Sequence, residues 1–173
     1  KKQSERRHHQ VFEIGDKVVY PMHGAGIIEG IETKEILGEK QPYYILHFPI
    51  GSMKVMIPTK SVEEVGIREI ISGGEVGKVV KVLGKHSSSL PDNWNKRYRM
   101  NLEKIKSGDI YEVAGVVRDL MIRERDKGLS TAERKMLNTA RQILISEIVL
   151  STSQKEEDIA SMIDKITLKQ DSV

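Results

Sequence analysis

The densest chemistry in the chain lies in Pro91-Asp92-Asn93-Trp94-Asn95-Lys96-Arg97-Tyr98-Arg99. This stretch holds the single tryptophan of a sequence with only 5% aromatic residues. Lys96, Arg97 and Arg99 crowd the indole. An amphipathic ring beside cations suits a base-stacking or wedging contact with nucleic acid. Helical spacing also puts Trp94, Tyr98, Leu102 and Ile105 on one stripe, and a core face has the same pattern. The basic residues alone read equally as a solvated helix face. Polar Asn93 and Asn95 flank the indole in what would be the first helical turn, where side chains often project. On residue types alone, wedge and core stand side by side.

Other chemistries find little footing. His23-Gly24-Ala25-Gly26 with Gly30 looks like a phosphate loop, but such a loop must open a helix whose N–H groups face the anion. Ile27, Ile28 and Glu29 read as strand, so a hairpin turn needing glycine dihedrals fits better. The histidines His8, His9, His23, His47 and His86 show no converging metal-ligand spacing. There is no cysteine, and neither a P-loop nor a Gly-x-Ser-x-Gly elbow occurs. Most carboxylates fall where caps or i,i+4 partners sit, as Glu103 does after Arg99. No enzyme activity, metal or cofactor is expected, and a hydrolase lacks any nucleophile–base pattern.

Charge narrows the partner. The 173 residues carry 28 Lys and Arg against 25 Asp and Glu, a net +3. Lys1, Lys2, Arg6 and Arg7 against Glu5 account for all of it, so the remainder is neutral. Within that neutral body, residues 85–106 hold six basic against two acidic side chains, a local +4. Segregation of this kind suits modest nucleic-acid affinity rather than general basicity. No run approaches 18 apolar residues, so no membrane span is expected. No secretory signal is read at the start of the chain, and the lack of cysteine fits a reducing compartment, here the cytoplasm.

The elements that must position these residues change period once. Residues 1–10 read as an unstructured arm. Residues 11–71 read as five short strands near Val18–Tyr20, Gly26–Thr33, Tyr43–Phe48, Met53–Ile57 and Ile67–Ile71. Pro21 with Gly24, Leu37-Gly38-Glu39, Pro49 with Gly51, and Pro58 separate them. On the fourth, Met53, Val55 and Ile57 share one face, and Lys54 and Met56 the other. Residues 72–168 repeat every three to four residues and read as five helices, leaving 169–173 as a tail. Three capping boxes stand out: Ser72 with Glu75, Ser130 with Glu133, and Ser153 with Glu156. Asp92 and Asp109 read as N-caps, and Gly108 and Gly128 as stops. The fold class is α+β, a bent β-barrel or sheet followed by a helical domain.

Phe12-Glu13-Ile14-Gly15-Asp16-Lys17-Val18-Val19-Tyr20-Pro21-Met22-His23-Gly24 resembles the opening of the CarD/CdnL family of bacterial RNA-polymerase-binding regulators. Asn93–Arg99 followed by Asn101-Leu102-Glu103-Lys104 is similar to the same family. So are Val116-Val117-Arg118-Asp119-Leu120, Gly128-Leu129-Ser130 and Ala140-Arg141-Gln142-Ile143-Leu144. The likeness runs from about Phe12 to Leu168. The first motif is shared with the transcription-repair coupling factor, and the tryptophan segment points to the stand-alone regulators. The resemblance implies a Tudor-like domain that grips the β subunit of RNA polymerase and a helical domain on promoter DNA. It implies a monomer that stabilises the open promoter complex. A protein–protein adaptor, whose helical domain binds another protein, is the alternative reading.

By this resemblance Lys34 and Met56 face the polymerase, at positions where many relatives carry arginine. Lys34 keeps the charge without the planar fork. Met56 loses the charge and can pack on an apolar patch instead. Trp94 matches a tryptophan that wedges into the minor groove at the upstream edge of the melted −10 region. Lys96, Arg97 and Arg99 are then expected on phosphates. Such contacts position a protein and carry little sequence information.

Overall fold

The computed structural model describes residues 12–169. The expected arm over residues 1–10 and the last four residues of the expected tail lie outside the described residues. Five antiparallel strands form one sheet: β1 (Lys17–Tyr20), β2 (Gly24–Ile36), β3 (Glu39–Phe48), β4 (Met53–Pro58) and β5 (Arg68–Glu69). Their order is β4-β3-β2-β1-β5. A single helical turn, α1 (Val62–Val65), precedes β5 and has no counterpart in the sequence reading. Beyond it lie α2 (Val76–Leu83), α3 (Trp94–Lys106), α4 (Ile110–Asp126), α5 (Thr131–Thr152) and α6 (Glu156–Leu168). Among the described residues no helix is long and apolar enough to cross a membrane.

The long β2–β3 hairpin turns at Leu37 and Gly38, with φ of 54° and 78°. Two consecutive positive φ values match the twist of flanking strands, so the hairpin closes in two residues. Alternate residues Tyr44, Leu46 and Phe48 of β3 fill the sheet's core with Phe12, Val18, Ile28, Ile57 and Val62. The helices bury a separate core in which Val79, Leu83, Ile105, Val117, Leu120, Leu144, Ile148, Ile159 and Ile163 take part. The 3.6-residue period placed these side chains inward, and burying each contributes about 1.5–3 kcal/mol.

Two of the three capping boxes do not form. Ser72 makes no side-chain cap bond, and Glu75 is itself the N-cap of α2. Ser153 takes a left-handed conformation, with φ 58°, and ends α5 instead of starting α6. Lys155 precedes α6 without a side-chain cap. A serine followed by glutamate three residues on has the right composition in each case, but the backbone at Ser153 already serves the preceding helix.

The two modules meet along a polar seam on α5. Glu147 is fully buried there. It accepts from Arg68 Nη1 at 2.8 Å, Arg68 Nη2 at 2.7 Å and the Ile71 amide at 2.8 Å. Arg68 Nε donates to the Gly108 carbonyl at 2.8 Å. Further along, the Ala25 amide donates to Ser146 Oγ at 2.9 Å, bringing β2 against α5. The approach is close enough to require glycine at 24. Its φ is 99°, and a Cβ there would lie 2.6 Å from Ser146 Oγ.

Removing one partner of a buried pair leaves the other charge uncompensated. Arg68→Ala should therefore cost about 3–5 kcal/mol of stability, whereas exposed Lys60→Ala should stay within about 0.5 kcal/mol. Urea midpoints of the two variants check this.

Candidate nucleic-acid interface

Trp94 opens α3 because Asn93, in extended conformation, caps it by accepting from the Lys96 amide at 3.0 Å. The cap is Asn93 and not the expected Asp92. Asp92 gives its carbonyl to Arg97 instead. Gly108, with φ 72°, follows the helix end at Ser107. Upstream, the loop into α3 is held by Asp119 of α4, which is fully buried. Its carboxylate accepts from the Ser88 amide at 3.0 Å, from Ser88 Oγ, and from Arg118 Nε at 3.0 Å. Arg118 Nη1 donates to the Val82 carbonyl at 2.9 Å, tying in the end of α2.

Trp94 is 40% exposed. Its ring stacks on Tyr98 with centroids 5.1 Å apart and planes 20° apart. Its Nε1 donates to Ser130 Oγ at 3.0 Å. The stripe therefore does both things the sequence left open. Ile105 is core, Tyr98 and Leu102 are half-buried against that core, and Trp94 emerges at the helix start. A stacked pair of this kind contributes about 0.5–1.5 kcal/mol beyond its buried area. The indole is thus exposed yet fixed in orientation.

Arg97 departs from expectation. It is 3% exposed and turns inward. Its Nε and Nη2 donate to the two carboxylate oxygens of Glu133 at 2.9 and 3.1 Å. Its Nη1 donates to the carbonyls of Pro91 and Asp92 at 3.1 and 3.0 Å. A guanidinium spent this way is not a phosphate contact. It pins the approach to α3 against the first turn of α5. Lys96 and Arg99 stay exposed, and neither has an ion-pair partner among the described residues. The expected Arg99–Glu103 pair does not form, and Glu103 lies 4.0 Å from Lys106.

In the sequence, Ser130 and Glu133 read only as a helix cap. Ser130 Oγ does accept from the Glu133 amide at 3.2 Å. It also meets Glu133 Oε1 at 3.2 Å and accepts from Trp94. Hydrogen bonds from Arg97 hold the Glu133 carboxyl below its usual range, against the opposing effect of burial. Hydrogen bonding to Glu133 raises Arg97 in turn. The signal that could have found this role is an arginine inside a basic cluster with an acid on the first turn of a later helix.

Lys34 and Met56 lie on the sheet. Lys34 pairs with Gln41 and Met56 with Ile45, alternate positions of β3 opposite the core-lining Tyr44 and Leu46. Directly paired residues share a face, so both point away from the core. Lys34 Nζ lies 3.1 Å from Glu32 Oε2, and Met56 is 44% exposed. Among the described residues no group of three or more His, Asp or Glu can hold a metal ion.

Residues 12–71 match the family model of the CarD-like/TRCF RID domain, and residues 78–164 that of the CarD C-terminal domain. The chain is 44% identical over 153 residues to the candidate transcription factor YdeB of Bacillus subtilis (strain 168). That match covers 87% of this chain and 99% of YdeB. The two family models together span most of the chain, and the chain belongs to the CarD family. Two larger proteins share parts of it. The transcription-repair-coupling factor of Bacillus subtilis (strain 168) is 37% identical over 73 residues, 42% of this chain and 6% of that protein. A DNA-directed RNA polymerase subunit beta of Alkaliphilus oremlandii (strain OhILAs) is 31% identical over 130 residues, 70% of this chain and 10% of that protein.

Glu133 makes the fold acid-sensitive. Its folded pKa is depressed, so its contribution is complete above the ordinary glutamate value of about 4.3 and is lost as pH falls through the lower folded value. Glu133→Gln should be less stable than wild type near neutrality, and the gap should narrow as pH falls below the ordinary glutamate value. Arg97→Ala should cost about 3–5 kcal/mol, whereas Lys96→Ala should cost under about 0.5 kcal/mol. Denaturant titrations at stepped pH measure all three.

Proposed function

We propose that this protein tethers to the β subunit of RNA polymerase through the outer face of its sheet and stabilises the open promoter complex through Trp94. The observation that carries the reading is the fixed, half-exposed indole flanked by Lys96 and Arg99, cations with no ion-pair partner among the described residues. Lys96 and Arg99 hold phosphates, and Trp94 wedges into the minor groove at the upstream edge of the −10 bubble. Arg97 positions them from inside. The polymerase contact uses Lys34 and Met56. Relatives named for a polymerase subunit and a coupling factor support the transcription setting.

The mechanism is a population shift. A ligand moves the closed–open equilibrium only by its differential affinity for the two states. Unstacking a base step costs a few kcal/mol, and least where the duplex is already broken. A wedge at the fork therefore favours the open complex, and each 1.4 kcal/mol is about tenfold. The tether supplies local concentration, so two phosphate contacts suffice.

Trp94→Ala should shorten the open-complex half-life several-fold on a defined promoter while costing about 1–3 kcal/mol of stability, for the lost Tyr98 stack and Ser130 bond, and leaving the protein folded. Trp94→Phe should recover part of the effect. An unchanged half-life in Trp94→Ala, with polymerase bound, would refute the reading.

On the polymerase side, Lys34→Glu should weaken capture of the β subunit more than Lys34→Ala, since it adds repulsion as well as removing attraction. Equal capture by both variants and wild type would make Lys34 an ordinary solvated lysine.

A further inference from the structure

The groove between α3 and α5 begins where the aromatic stack ends. Tyr98, stacked on Trp94, is also part of its wall. Leu102 and Met136 add apolar surface, and Met22 from the β1–β2 turn lies at the same cavity. The cavity holds about 220 Å³. An apolar cavity of roughly 150 Å³ already accepts a six-membered aromatic ring, so a single nucleobase fits. Met22 takes φ 72°, a left-handed conformation rare for its type, and packs on the helical core. A conformation of that kind persists only where surrounding packing over-determines it, so this part of the wall is preformed.

Two polar groups at the groove are unspent. Lys135 is exposed and Thr139 half-buried, and no hydrogen bond or ion pair engages either among the described residues. An apolar, aromatic-walled slot with a free hydroxyl and a free cation matches a flat ring with a polar edge and an attached phosphate. A purely apolar side chain would leave both polar groups idle. Lys96 and Arg99, on the helix that bears Tyr98, add to the positive charge.

We propose that this groove is a nucleobase site, taking one unpaired base of the open fork onto Tyr98 with Lys135 on its phosphate and Thr139 on its edge. The proposal rests on the reading that Trp94 faces promoter DNA, and it adds a specific contact that only the melted state can make. Base-on-aromatic stacking tolerates any base, so little sequence preference is expected.

The test uses the full chain and a fork-junction DNA carrying 2-aminopurine as its first unpaired base, with the fully paired duplex as control, at low ionic strength. Wild type should change the 2-aminopurine fluorescence and bind the fork several-fold tighter than the duplex. Lys135→Gln should weaken fork binding about threefold with duplex binding unchanged. Thr139→Phe should fill the groove and erase the preference for the fork, with a thermal midpoint confirming that it folds. If Thr139→Phe does not fold, Lys135→Gln and the fluorescence change decide. Equal binding of fork and duplex by wild type would overturn the proposal, as would an unaltered preference in both variants or a groove that takes an acidic peptide and leaves 2-aminopurine untouched. Trp94→Ala separates the two readings. Open complexes shortened by Trp94→Ala but untouched by the groove variants overturn the groove alone. No effect of Trp94→Ala overturns the DNA reading beneath it.

Discussion

Taking a carboxylate and a guanidinium out of water costs several kcal/mol per ion, and only good geometry recovers it. The Arg97–Glu133 pair meets that condition with two parallel N–H···O bonds, two backbone carbonyls on the remaining Arg97 nitrogen, and Ser130 beside Glu133. Every one of those partners belongs to the approach to α3 or the start of α5. The pair therefore fixes two chain segments relative to each other at the point where Trp94 emerges. With Arg97 turned inward, Lys96 one residue earlier is left outside, while Trp94, three residues earlier on the same helix face, lies over Ser130 and is half-exposed because it sits at the helix end. The buried ion pair, the Trp94–Ser130 bond and the Tyr98 stack together fix where the aromatic–basic corner emerges.

The same device recurs at the two other joints that matter. Asp119 with Arg118 and Ser88 holds the loop leading into α3. Glu147 with Arg68 and the Ile71 amide holds the sheet to the helices. Glu133 and Glu147 lie on one helix, α5, which spans Thr131–Thr152. At 1.5 Å per residue they stand about 21 Å apart along its axis. That helix is thus a rod with the Trp94 corner clamped near one end and the sheet near the other. In the proposed function, tethering is useful only if the wedge arrives at a fixed distance from the polymerase contact. A loose linker would spread that local concentration over many positions.

Much of the fold was legible because it obeys simple periods. Alternation over Lys54–Ile57 and four-residue spacing in α6 survive in the burial pattern, whereas α4 is buried all round from Val113 to Leu120. Caps were legible only where a single helix competed for the residue. Asp109 and Ser130 cap as read, with bonds from Tyr111 and Glu133. Ser153 sits between two helices, and the ending one claims it. The site was half legible. Trp94, Lys96 and Arg99 are exposed, as a surface contact needs. Arg97 could not be told from its neighbours, because its partner lies 36 residues away and no local pattern announces it. Ser130 and Glu133 were hidden for the opposite reason. Their local pattern was fully explained by a helix cap, so nothing called for a second role.

The way Trp94 is held bears on how much it can contribute. A free surface tryptophan would lose rotamer freedom on inserting into DNA, and ordering a side chain on binding costs about 0.5–1.5 kcal/mol. Here the Ser130 bond and the Tyr98 stack have already imposed that order in the free protein. The folding energy of the helical module bears the cost instead. The same restraint sets a limit. If insertion requires the indole to leave Tyr98, the stack worth about 0.5–1.5 kcal/mol is forfeited, and a nucleobase must replace it for the shift toward the open state to keep its size. The Tyr98 ring, left with one face uncovered, is where such a replacement would have to stack. The economy of the wedge therefore depends on the tyrosine beneath it as much as on the tryptophan.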